Sequence, residues 1–255
     1  WLASDWRPSV SYSLASLRRM ASFGIGVMTI SLMNTLQSQA DKFLIGLWLG
    51  PSVLGYYYLA QRLLILTSEL VTTVISRLSL TTFSKVQDDL PRLNRGFLQL
   101  TFLSGAIGVP IFGLLALYAD LIVPALFGDG WTSAVPLMQI FCASFALGTI
   151  IYFDKDVLLA IGRPGVAVRL GLAENVIGIA VLCVTAPLGA TWVAVGRAAQ
   201  RFLIWPYRIL VLRRCASITI TTYLRNIAAV LGALVPAGAL FACLTLTGWS
   251  DVRYP

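Results

Sequence analysis

Seven long apolar runs, each broken from the next by a short polar stretch, organise this chain. They fall near residues 20–40, 56–80, 97–118, 135–159, 167–186, 190–212 and 224–246. About 20 apolar residues suffice to cross a bilayer as a helix. Peptide groups in lipid must find partners within their own segment, so runs of this length predict helices. They are too long and too continuous for barrel strands. Breakers mark several turns: Gly50-Pro51, Gly128-Asp129-Gly130, Gly162-Arg163-Pro164-Gly165 and Pro187-Leu188-Gly189. Pro110, Pro136, Pro206 and Pro236 lie in or beside runs, where membrane helices accept proline, often with a kink. The pattern predicts an all-α, polytopic membrane bundle of about seven spans.

Composition sharpens this picture. Hydrophobic residues make up 58% of the chain and charged residues 12%, about half the charged share of a soluble domain. Mean hydropathy is +0.81. The net charge of +8 is unevenly placed. Arg7, Arg18 and Arg19 precede the first run. Arg77, Lys85, Arg92 and Arg95 lie between the second and third, and Lys155, Arg163 and Arg169 between the fourth and fifth. Arg208, Arg213, Arg214 and Arg225 lie between the sixth and seventh. The alternate stretches hold Asp41, Asp120, Asp129 and Asp251, with Lys42 and Arg253 as their cations. This alternation follows the positive-inside rule and predicts a cytoplasmic N-terminus and an outward C-terminus. The basic charge thus encodes topology, and nucleic acid is not expected as a partner. Trp48, Tyr56, Tyr57, Tyr58, Tyr118, Trp131, Trp205 and Tyr207 fall near run ends, as in aromatic belts. Cys142, Cys183, Cys215 and Cys243 show no CxxC spacing, and histidine is absent. No metal site, His-based catalysis or cofactor is expected. The chain opens on Trp1 without a signal-peptide pattern and reads as a piece of a longer protein.

Ionisable residues inside the runs are few, and each costs free energy unless it meets protein, water or a partner. Arg62 and Glu69 share one face of the second run, two turns apart. Arg197 and Arg201, at i and i+4, stack two cations on one face of the sixth. Glu174 and Asn175 lie in the fifth. In the first, Asn34, Gln37 or Ser38, and Asp41 form a polar stripe at helical spacing. Two kinds of reading stay open. As scaffolding, Asp41 pairs with Arg62 at similar depth, Glu174 neutralises Arg201, and Arg62 snorkels to the headgroups. As a site, Arg62, Arg197 and Arg201 line a wet cavity for an anionic group, with Asp41, Glu69 and Glu174 as coupling or ion-pair residues. Arginine keeps its proton and grips two phosphate oxygens at once. No GxxxxGK[ST] loop is present, so bound ATP is not expected as the energy source.

The segment Asp41-Lys-Phe-Leu-Ile-Gly-Leu-Trp-Leu-Gly-Pro-Ser-Val-Leu-Gly-Tyr-Tyr-Tyr-Leu-Ala-Gln-Arg62 resembles a D-x-x-L-I-G-x-x-L-G…L-G-Y-Y-x-x-A-x-R-L stretch. That stretch belongs to the polysaccharide-exporter flippases of the multidrug/oligosaccharidyl-lipid/polysaccharide exporter superfamily. Phe83-Ser-Lys-Val-Gln-Asp-Asp, Leu126-Phe-Gly-Asp-Gly-Trp131-Thr-Ser-Ala-Val-Pro136 and Leu159-Ala-Ile-Gly-Arg163 agree with it. The resemblance covers most of residues 5–215 and is similar to the second half of that family. It implies a fold of two six-helix lobes around a central cavity, this chain supplying the C-terminal lobe. The layout would be a cytoplasmic linker over 1–19, a six-helix lobe over 20–212, and a loop with one further span over 213–255. The function implied is alternating-access transport, without an enzymatic step, of lipid-linked sugars held through a pyrophosphate across a bacterial cytoplasmic membrane. The implied partners are that lipid-linked oligosaccharide, the bilayer and an N-terminal lobe. Asp41 and Arg62 match the family pattern. Glu69, Glu174, Arg197 and Arg201 map onto no motif of it, and Asp154-Lys155-Asp156 is more charged than the family leads one to expect.

Two other functions compete. An ion-coupled multidrug exporter of the same superfamily calls for an acidic, aromatic cavity. A membrane-embedded polysaccharide polymerase or glycosyltransferase calls for a large catalytic loop or a metal-holding acidic motif. The close acidic pairs here, Asp88-Asp89 and Asp154/Asp156, fall at the expected inner surface.

Overall fold

A computed structural model of the chain describes residues 13–85, 89–216, 218–230 and 232. Among them all regular structure is helical. The helices are α1 (Leu14–Leu49), α2 (Pro51–Lys85), α3 (Leu90–Leu117), α4 (Ala119–Phe127), α5 (Val135–Ile150), α6 (Asp154–Ala160), α7 (Pro164–Thr185) and α8 (Ala190–Ala216). A further helix, α9, spans 220–230. Short 3-10 turns at Asp129–Ala134 and Ala186–Leu188 complete the connections.

The expected breakers act as punctuation. Gly50 adopts a φ of 87° between α1 and α2, a conformation only glycine enters freely. Pro51 then opens α2 with its ring already at a helical φ. The other three breaker clusters likewise end helices.

Three helical stretches have the length and apolarity to cross a bilayer: Leu90–Leu117, Asp129–Ala160 and Pro164–Leu188, with mean hydropathies of 2.1, 1.9 and 1.8. The helices α1, α2 and α8 are as long, at 36, 35 and 27 residues, but more polar. The chain is a helical membrane bundle. Much of its apolar surface points outward, including Met28, Leu70, Val184 and Leu203, as lipid permits and water does not.

Packing closes a ring. α1 packs on α2 and α7, α2 on α5, α5 on α8, and α8 on α7. α3 braces α2 and α5 from outside. Small residues let it approach α5 closely, since a Cβ on Gly108 would sit 2.5 Å from the Thr149 side chain. The Ser104 hydroxyl donates to the Thr149 carbonyl at 2.8 Å in the same contact.

The buried apolar residues form two clusters. One gathers Ile45, Tyr57, Leu64, Leu137, Met138, Val193 and Ala194. The other gathers Val71, Ile75, Phe97, Phe153, Leu158, Ile209 and Tyr223. On α2, α5 and α8 the stretch between the clusters is where polar side chains turn inward. A polar layer at mid-depth, held between two apolar plugs, is the feature that positions the site.

Helix ends depart from the sequence reading in places. α1 starts before residue 20 and α2 reaches Lys85. The run expected over 135–159 is broken at 151–153 into α5 and α6. Arg7, residues 86–88, Cys243, Arg253 and the seventh run from residue 233 onward lie outside the described residues. Cys142, Cys183 and Cys215 are free thiols.

Candidate functional site

The helices of the ring line a half-open cavity of about 530 Å³. Ser38 and Asp41 of α1, Gln61 and Ser68 of α2, and Ser144, Phe145 and Gly148 of α5 line it. Tyr152, Lys155 of α6 and Glu174 of α7 add to the wall. α8 contributes most, through Arg197, Gln200, Arg201 and Arg208.

Helix geometry explains the concentration on α8. Positions 197, 201 and 208 are i, i+4 and i+11, so they fall within roughly 40° of one another around the axis. They lie roughly 10, 16 and 27 Å along the helix from Ala190. In a hydrocarbon layer of about 30 Å the middle arginine sits near the centre.

Three ionic arrangements follow, one per arginine. Arg197 pairs with Asp41 across α8 and α1. Its Nη1 also donates to Gln200 Oε1 at 3.0 Å, and Gln200 Nε2 donates to the Glu174 main-chain carbonyl at 2.7 Å. One chain of contacts thus ties α1, α8 and α7. At the other end, each of the three guanidinium nitrogens of Arg208 has a partner. Its Nε donates to Asp154 Oδ2 at 3.0 Å and its Nη2 to the Ile151 carbonyl at 3.1 Å. Its Nη1 meets Glu174 Oε1. The second Glu174 oxygen lies 3.2 Å from Lys155 Nζ.

Arg201, between them, differs. Its Nη1 donates to the Ser144 carbonyl at 2.8 Å, and its guanidinium carbon lies 5.4 Å from the Phe145 ring centre, within cation–π range. Gly148 makes room, since a Cβ there would be 3.0 Å from that Nη1. Among the described residues no carboxylate pairs with Arg201. Its cavity neighbours cancel: Arg197 against Asp41, and Arg208 with Lys155 against Asp154 and Glu174. The surplus is one positive charge, at mid-depth, on a planar group with free donors.

The expected residues divide accordingly. Asp41, Glu174, Arg197 and Arg201 come together on the cavity. Arg62 and Glu69 lie exposed on α2 and outside the lining. The inward positions of α2 are Gln61, Ile65 and Ser68, one residue earlier and therefore about 100° round the helix. The partners also differ from the scaffolding reading. Asp41 meets Arg197 rather than Arg62, and Glu174 meets Arg208 and Lys155 rather than Arg201. Arg208, Asp154 and Lys155 belong to the cavity network although the charge pattern placed them at the inner surface. The i+11 spacing from Arg197 was the signal for Arg208. Asp154 had none, because the break at 151–153 that turns it inward carries no proline or glycine.

Comparison with known proteins places the chain. A family profile described as "Polysaccharide biosynthesis protein" matches residues 1–136, which include the whole Asp41–Arg62 segment. The teichuronic acid biosynthesis protein TuaB of Bacillus subtilis is 27% identical over 64% of this chain and 34% of its own length. The lipopolysaccharide biosynthesis protein WzxC of Escherichia coli is 26% identical over 75% of this chain and 39% of its own length. The succinoglycan biosynthesis transport protein ExoT of Rhizobium meliloti is 23% identical over 80% of this chain and 45% of its own length. The chain therefore spans less than half the length of these relatives. No solved structure matches it. With more than half of its residues under the family profile, the chain belongs to the polysaccharide biosynthesis protein family, as the resemblance of its first two helices implied.

Proposed function

We propose that this chain is the C-terminal lobe of a flippase that moves polyprenyl-pyrophosphate-linked oligosaccharide or polysaccharide precursors across the bacterial cytoplasmic membrane by alternating access. The observation that carries this reading is Arg201: an arginine with no carboxylate partner among the described residues, near mid-depth, on a half-open cavity within the ring of helices. A fixed cation in that position favours a passenger with a compact anionic group. Gln61, Ser68, Gln200 and Tyr152 offer the hydrogen bonds and ring face that sugars use. Similarity to ExoT, a succinoglycan biosynthesis transport protein, supports a transporter rather than an enzyme.

In this reading residues 20–212 form the lobe, 1–19 a cytoplasmic linker, and 213–255 a loop with a further span. An N-terminal lobe completes the transport path, and the exposed α2 face bearing Arg62 and Glu69 turns toward it. The N-terminus of the segment is cytoplasmic. The substrate must be bound comparably in both facing states, or it would be trapped in one.

Reconstitution into vesicles tests the assignment. The purified protein should carry a fluorescent polyprenyl-diphosphate-linked oligosaccharide across the bilayer and leave cationic dyes where they are. Dye transport without sugar-lipid transport would favour the multidrug exporter. Glycan elongation by the purified protein would favour a polymerase.

A further inference from the structure

Among the described residues, Glu174 is the one carboxylate on the cavity that holds two cations from different elements, Arg208 of α8 and Lys155 of α6. The two contacts are not equivalent. Arg208 has Asp154 and the Ile151 carbonyl besides Glu174, so it is satisfied without the second carboxylate. Lys155 has only Glu174 as an ion-pair partner among the described residues. Exposure separates them further. The Arg208 and Asp154 side chains are 7% and 0% exposed, those of Lys155 and Glu174 23% and 20%. Lys155 and Glu174 both border the cavity, whereas Asp154, the other partner of Arg208, lies behind the lining.

We propose that Lys155 is a second phosphate ligand, which Glu174 occupies as a stand-in anion while the cavity is empty. This rests on the flippase reading above and adds to it how a diphosphate with two anionic groups is met. Arg201 supplies one free cation and cannot neutralise both phosphates. An entering diphosphate takes the place of one Glu174 oxygen on Lys155. Glu174 keeps its other oxygen on Arg208, so no carboxylate is left buried and unpaired. Exchange of one anion for another at an ammonium group changes no net charge at that contact. A point charge on a flexible stem suits such exchange better than a fixed guanidinium fork does. The stand-in also lowers affinity for the passenger, which helps release.

Titration of the detergent-solubilised protein with inorganic pyrophosphate tests this, because the sign of one effect is unusual. Glu174→Gln should bind pyrophosphate about tenfold more tightly, the amide leaving Lys155 free. Lys155→Met should bind about tenfold more weakly, the size of one charge-assisted contact. Lys155→Arg should stay near the parent, and the double variant Glu174→Gln/Lys155→Met should lose the gain. Loss of one negative charge would tighten binding somewhat by itself, so the double variant decides: it should bind like Lys155→Met alone, whereas a gain from charge alone would persist in it. If Glu174→Gln binds no more tightly, or the double variant keeps the gain, the proposal is overturned; weaker binding by Arg201→Met in the same series then leaves the flippase reading standing. If Arg201→Met binds pyrophosphate like the parent, the flippase reading fails and takes this proposal with it.

Discussion

Replacing Arg201 by alanine should reduce export of surface polysaccharide to background while leaving the protein folded in the membrane. The argument is one of charge balance. Among the described residues, Asp41 pairs only with Arg197 and Asp154 only with Arg208, so removing either of those arginines strands a buried carboxylate. Among the described residues, Arg201 has only the Ser144 carbonyl and the Phe145 ring. Its removal strands no carboxylate, and the lost contacts are small beside the desolvation of an unpaired guanidinium. The variant should therefore melt at the parent temperature or above it. The functional loss runs the other way. Two charge-assisted hydrogen bonds to phosphate at about 1.5–3 kcal/mol each lower affinity by about two to four orders of magnitude. Arg201→Lys should fall between, keeping the charge and losing the fork. Loss of export with unchanged or raised thermal stability is the signature of a binding residue. A fall in both would mark Arg201 as scaffolding.

The opposite signature belongs to Arg208. Methionine there should lower stability by about 3–5 kcal/mol, the usual effect of removing one member of a buried pair. Asp154 is fully buried, and its Oδ1 already lacks a hydrogen-bond partner. Without Arg208 it also loses the 3.0 Å contact to its Oδ2. Thermal unfolding in detergent should show the loss, as should reduced accumulation in membranes. Arg208→Met combined with Asp154→Leu should recover most of the stability. Replacing both charges with apolar groups removes the desolvation penalty along with the attraction. If the single substitution is tolerated, the ion-pair network around Arg208 is not what secures α8 to α6 and α7.

Much of this was readable from residues alone, and the parts that were not share one cause. Run lengths and breakers located the helices, because backbone satisfaction in lipid leaves little choice. The i, i+4 spacing of Arg197 and Arg201 showed their common face, since it depends only on local geometry. Which carboxylate meets which arginine depends on ring closure instead. Asp41 and Arg62 lie on helices adjacent in sequence, yet the ring returns on itself through α7, packed on both α1 and α8, and that brings Arg197 within reach of Asp41. Arg62 and Glu69 share a face, as their spacing requires. It is not the face that packs inward, a fact fixed by which side of α2 touches α5. Asp154 and Lys155 read as an inner-surface charge cluster because the unbroken apolar run concealed the turn at 151–153.

Electron cryomicroscopy of the protein with a bound polyprenyl-diphosphate sugar addresses the central claim most directly. The account predicts phosphate oxygens within hydrogen-bonding reach, about 3 Å, of the Arg201 guanidinium, inside the ring formed by α1, α2, α5, α7 and α8. A diphosphate held elsewhere, with Arg201 still resting on the Ser144 carbonyl, would contradict it.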